Sequence, residues 1–181
     1  MLVALGTLYP QKSKTTEQTY DATMWLLNYA DSNPNATIRY TSSDMILYVH
    51  SNASYLSAPR ARSRAGGHYF LSDRSHDPTK PPRTRPCLNG PIHTVCKIMS
   101  NVMRSAAQAE IGATYINGRE AVPIRTLLRK LVHTQTATLM QVDNSTDVGF
   151  ANDTIKNKRS KSIDLRIYWI CDLTSRRQFL V

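Results

Sequence analysis

The feature that most constrains this chain is the run Met45-Ile46-Leu47-Tyr48-Val49, which is apolar at every position. Successive residues of a strand point to opposite faces of its sheet. A strand apolar on both faces needs cover above and below, so the run reads as the central strand of a sheet. Two further strands follow. A basic turn carrying Arg60, Arg62 and Arg64 leads into Gly66-Gly67-His68-Tyr69-Phe70-Leu71, and Pro91 to Val95 forms a third strand. Between them, residues 73–89 contain Pro78, Pro81, Pro82 and Pro86. Proline locks φ and removes a backbone donor, so this stretch reads as a long hairpin tip.

Helical spacing dominates the rest. Residues 1–14 are a short apolar stretch and a polar turn, and the capping pattern Thr15 to Gln18 opens a helix with Tyr20, Met24 and Leu27 along one side. Asp31 to Asn35 ends it, and Ile38 and Tyr40 alternate with polar neighbours as a half-buried strand does. After the third strand, Met99, Val102, Met103, Ala106, Glu110 and Ala113 predict a helix over 98–115. Asn117-Gly118 breaks the pattern, and Ile124, Leu127, Leu128 and Leu131 predict a second helix. Leu139 to Val142 is a short strand ending at Asp143. Ser145 caps a helix with Val148, Ala151 and Ile155, and a last helix carries Ile163, Ile167 and Ile170. The fold class is therefore α/β: a mixed sheet of three antiparallel strands followed by helix, strand and helix.

Lys and Arg total 23 against 13 Asp and Glu, a net charge of +10. Such an excess favours a polyanionic partner, most often nucleic acid, and also suits a ribosomal or membrane-surface protein. No apolar run approaches the roughly 20 residues that cross a bilayer. The N-terminus lacks the basic start and cleavage site of a secretory signal. The chain thus reads as intracellular, cytoplasmic or nuclear, and not secreted. Cys87, Cys96 and Cys171 are odd in number and widely spaced, which suggests neither a disulfide framework nor a zinc site.

Three polar residues stand out against this framework. Asn52 follows the central strand, Glu110 sits on the mostly apolar face of a helix, and Asp143 ends the short strand. A carboxylate on an apolar face needs a partner, because burying it alone is expensive. Such a glutamate more often meets an arginine than a metal. Asn52 alone is also a simple turn residue, and Asp143 can cap the helix at Ser145. Lys156, Lys158, Arg159 and Lys161, like Arg60, Arg62 and Arg64, form either a solvated face or contacts to phosphates. His50 and His68 lie on neighbouring strands in structural roles, and Tyr69-Phe70 either packs the sheet or stacks bases.

Four segments carry a family resemblance: Tyr48-Val49-His50-Ser51-Asn52-Ala53-Ser54-Tyr55, Ser105-Ala106-Ala107-Gln108-Ala109-Glu110, Val142-Asp143-Asn144-Ser145, and the basic stretch Lys158 to Asp164. In order and spacing they resemble the ribonuclease H domain of copia-type retrotransposon Pol polyproteins. The resemblance implies a ribonuclease H-like domain over 44–181, with its closing strand and helix incomplete. It also implies an N-terminal segment over 1–43 like the connection from reverse transcriptase. The implied partners are an RNA–DNA hybrid and the polyprotein's reverse transcriptase and integrase, with no membrane. The implied chemistry is hydrolysis of the hybrid's RNA strand by two Mg²⁺ ions held by clustered carboxylates. The resemblance puts the first acid at Asn52, the helix acid at Glu110 and the second-strand acid at Asp143, leaving Glu110 and Asp143 as the metal ligands. An amide brings no charge to offset two divalent ions, and the fourth acid has no counterpart. The expectation is an inactive or degenerate nuclease; the alternative is a non-catalytic module that keeps the fold to bind nucleic acid or protein.

Overall fold

Strand β1, Ile46–Ala58, is longer than the apolar run that announces it, because it continues through Asn52 as far as a register shift between Ser54 and Ala58. It pairs antiparallel with β2, Arg62–Ser72, in a register running from Ile46 opposite Ser72 to Ser54 opposite Arg64. Strand β3, Pro91–Ile98, extends the sheet antiparallel to β2. On the other side, β4 (Thr138–Gln141) lies parallel to β1, and β5 (Phe179–Leu180) lies parallel to β4. The strand order is β3-β2-β1-β4-β5. The computed structural model describes residues 1–73, 87–143 and 161–181, with the backbone alone for 161–164. The Pro-rich tip, the helix expected from Ser145 and the residues Lys156, Lys158 and Arg159 lie outside the described residues.

The expected architecture, three antiparallel strands followed by helix, strand and helix, is the observed one. Its details differ in three places. Residues 98–130 hold one helix rather than two: α3 runs unbroken from Ala106 to Lys130, through Asn117-Gly118 and Pro123. Ser105 caps it by accepting from the Gln108 N–H at 3.2 Å. Met99 and Met103 are buried as expected, but they precede the helix, so their spacing of four mimics a helical stripe. Arg62 and Arg64 lie within β2 and not in a turn. Ile38 and Tyr40 form no strand; Tyr40 donates its hydroxyl to the Pro91 carbonyl, and Thr41 is held through Asn89.

Alternation sorts the sheet into two faces. Leu47, Val49, Tyr69 and Leu71 pack with Ala121 and Leu128 of α3 and with Leu173 of α4, the helix Lys161–Ser175. Further along the same face, Ala65 and Ala53 pack with Ala109 and Ala113. On the opposite face Ile46, Tyr48 and Phe70 form a smaller cluster with Leu139. Tyr48 and Phe70 stack there at 5.7 Å, and His50 meets Phe70 edge-on at 5.1 Å.

The chain divides into two compact units, Met1–Arg39 and Tyr40–Val181. In the first, α1 (Leu2–Leu8) and a short 3₁₀ turn (Tyr9–Gln11) precede α2 (Glu17–Asp31). The α2 cap sits one residue later than expected: Thr16 accepts from the Thr19 N–H, and Thr19 answers with its own hydroxyl. Among the described residues, no helix is long and apolar enough to cross a membrane.

Candidate active site

The buried stripe of α3 is Glu110, Thr114, Asn117, Ala121, Arg125 and Leu128, at helical spacings of three and four. Four of these six are polar, and each must find partners on the sheet because buried polar groups left unbonded are costly. Asn117 shows how. Its amide donates to Ser51 Oγ and to the Gly66 carbonyl, both at 2.8 Å, and Tyr69 donates its hydroxyl to Asn117 Oδ1 at 3.0 Å and to its carbonyl at 2.9 Å. Burial first, and the Glu120 carboxylate second, push the Tyr69 phenol above its ordinary range, which keeps it a donor. Gly67 makes the close approach possible, since a Cβ there would lie 2.2 Å from Asn117 Oδ1. This cluster fixes the register of α3 on β1 and β2, and so fixes where Glu110 stands two turns earlier.

Glu110 is in the first turns of α3 and only 8% exposed. Asn52 is exposed and lies inside β1, opposite Gly66 of β2, not beyond the strand as expected from sequence. Asp143 is exposed two residues past the end of β4. The last paired residues of β1 and β4 are His50 and Gln141, so Asn52 and Asp143 each lie two residues further along parallel neighbours. Register thus brings these two to the same end of the sheet. Glu110 comes from the other side. Ser51 and Ala53 face α3, so alternation turns Asn52 to the opposite face, with Tyr48 and His50.

The donors are one amide oxygen and two carboxylates divided between the faces of a strand. Among the described residues, no group of three His, Cys, Asp or Glu stands close enough to hold a metal ion. These residues do not fit a pair of Mg²⁺ ions, which needs several converging carboxylates to offset the charge of both.

The basic residues also part company. Arg60 is exposed at the β1–β2 turn with a positive φ of 61°. Arg62 is partly buried and donates to the Met99 carbonyl at 3.4 Å. Arg64 is 7% exposed, with its guanidinium 3.7 Å from Cys96 Sγ. That burial turns Arg64 away from the solvent-facing phosphate contact expected of it. Lys161 begins α4. His50 and His68 face each other across β1 and β2, with ring centres 6.1 Å apart. Sequence reasoning read Asn117 as a helix break and passed over Arg125; neither carries a local signal, because the partners of each lie on other strands and loops.

No protein-family model matches the chain, and no curated protein matches it. Among solved structures the chain is similar to LC11-RNase H1, isolated from compost by a metagenomic approach. The identity is 11% over 75% of this chain and 81% of that one, with a TM-score of 0.49. A crystal structure of LC11-RNase H1 in complex with an RNA/DNA hybrid gives 11% identity over 73% of this chain and 78% of that one, with a TM-score of 0.47. At these values the likeness carries no argument about substrate or chemistry.

Proposed function

We propose that the chain is a ribonuclease H-like domain of copia type, native to a polyprotein with reverse transcriptase and integrase, that binds RNA–DNA hybrids without cleaving them at a useful rate. The observation that supports this reading is the donor set itself: an amide at Asn52 and a carboxylate at Asp143, each two residues past the last paired residues of β1 and β4, with Glu110 on the helix that covers the other face. The ordered motifs around these three residues and the net charge of +10 support a nucleic-acid role. With one charge missing and the remaining acids apart, Glu110 and Asp143 hold at most one weak Mg²⁺.

Two assays test this. Affinity for an RNA–DNA hybrid should fall steeply with salt, by about 0.9 in log–log slope per phosphate contact on a B-form duplex, and Lys158→Ala with Arg159→Ala should flatten the slope by about two contacts. In Mg²⁺ the unmodified chain should leave the hybrid intact, and Asn52→Asp should tighten Mg²⁺ binding with cleavage still low. Robust cleavage by the unmodified chain, abolished by Glu110→Gln, overturns the inactive reading. Salt-independent binding overturns the nucleic-acid reading.

A further inference from the structure

Helices α3 and α4 both end at the edge of the sheet where β4 and β5 begin, opposite the end that carries Asn52 and Asp143. The two ends share one backbone design. After α3, the Val132 N–H donates to the Arg129 carbonyl at 3.1 Å and the His133 N–H to the Leu128 carbonyl at 3.0 Å. After α4, the Arg177 N–H donates to the Thr174 carbonyl and the Gln178 N–H to the Leu173 carbonyl, both at 2.9 Å. This paired closure forces the residue just past the helix into the left-handed region, where Val132 has φ 67° and Arg177 φ 54°. The Thr138 N–H donates to the Gln178 carbonyl at 2.9 Å and ties the two connections side by side.

Between them lies a cleft of about 540 Å³ lined by Arg125, Arg129, His133, Gln135, Arg176 and Arg177 among others. Arg125 is buried and fixed: its guanidinium donates to the Thr136 and Gln135 carbonyls and to Thr138 Oγ1. Burial first and the charge of Arg129 second weaken its hold on its proton. Arg176 pairs with Asp172 at 2.9 Å, whereas among the described residues Arg129 and Arg177 form no ion pair. Among the described residues, the opposing charges are Asp172, Asp44 in the adjoining hollow beside His133, and two helix C-termini worth about half a charge each. Four guanidiniums exceed that sum, so the cleft is positive beyond what the helix ends require.

We infer that this cleft binds phosphate oxyanions, taken either from a free oligophosphate or from the backbone of a single-stranded nucleic acid. Guanidinium forks match phosphate oxygens in pairs, and Arg129 and Arg177 reach the cleft from two helices whose ends are locked in place. The inference stands apart from hybrid binding, because the cleft lies at the other end of the sheet.

The test titrates tripolyphosphate into the full chain by calorimetry. Arg129→Gln and Arg177→Gly should each weaken binding about tenfold, the loss of one charge-assisted contact, and Lys97→Gln on exposed β3 should leave it unchanged. Arg177→Gly also separates binding from folding. Glycine accepts the left-handed conformation freely, so the ligand-free variant should melt higher while its affinity drops. A single strand of about 12 nucleotides that displaces tripolyphosphate assigns the cleft to backbone phosphates; failure to displace it assigns the cleft to free oligophosphates. Absence of binding, unchanged affinity in both arginine variants, or an equal loss in Lys97→Gln overturns the inference.

Discussion

Replacing Asn117 by Ala removes two donated hydrogen bonds of 2.8 Å, to Ser51 Oγ and the Gly66 carbonyl, and one accepted from Tyr69. Tyr69 keeps its second acceptor, the residue 117 carbonyl, so its hydroxyl stays satisfied. The two bonds to Ser51 and Gly66 are worth about 1 kcal/mol each, and stranding buried Ser51 adds about 1 kcal/mol more. The cavity costs about 1 kcal/mol, and the better helix propensity of Ala returns roughly 0.5 kcal/mol. The expected loss is about 3.5 kcal/mol, seen in urea denaturation as a lower midpoint at constant slope and in melting as a drop of about 10 °C. A double-mutant cycle isolates the cause. Gly67→Ala should be severe in the native background, where its Cβ meets Asn117 Oδ1 at 2.2 Å, and distinctly milder once residue 117 is Ala. A loss below 1 kcal/mol for Asn117→Ala, or strict additivity in the double variant, refutes the reasoning that this cluster seats α3 on the sheet.

Two further outcomes follow from the backbone and from titration. Val132 is 87% exposed at φ 67°, a costly conformation for a β-branched residue, so Val132→Gly should raise stability by about 1 kcal/mol in thermal melts; a fall contradicts the strain argument. Burial first and His68 second hold the His50 pKa below the usual value near 6.5, so the unfolded chain binds that proton more readily than the folded one. Stability should therefore drop as pH falls below about 6.5 towards the lower folded value, and His50→Gln should show a shallower drop between pH 7.5 and 5 in urea titrations.

The sheet was legible because its signals are local. An apolar run at 45–49 needs cover on both faces, and Pro91 to Val95 follows a Pro-rich stretch that no strand tolerates. What escaped reading depends on contacts across the chain. Asn117-Gly118 resembles a helix stop until the strand partners of Asn117 are known and Gly118 is seen against Trp169, 3.0 Å from where a Cβ would stand. Met99 and Met103 keep helical spacing because both reach the core from a loop, and helical periodicity cannot tell the two apart. Of the candidate site, Glu110 was recoverable from its place among alanines, and Asp143 from the strand before it. The face on which Asn52 sits was not, since it depends on where α3 crosses. The arginine cleft left no trace in the sequence pattern, because Arg125 and Arg129 are separated in the chain from Arg176 and Arg177 and only the parallel pairing of β4 with β5 unites them.

Helix α3 is an unbroken rod of 25 residues, about 37 Å long, with Glu110 near one tip and Arg129 near the other. Asn117 sits close to its midpoint in the tight seat against Gly67, and two turns on Arg125 ties the far half to the Gln135 and Thr136 carbonyls and to Thr138 Oγ1. A rod pinned at two points can neither slide nor pivot as one body. It therefore serves as a ruler: Glu110 and Arg129, 19 residues apart on it, are set about 28 Å from each other. The two ends of the sheet are thereby kept as separate surfaces, and a substitution at either pin is felt first as lost stability rather than as a signal passed from one end to the other.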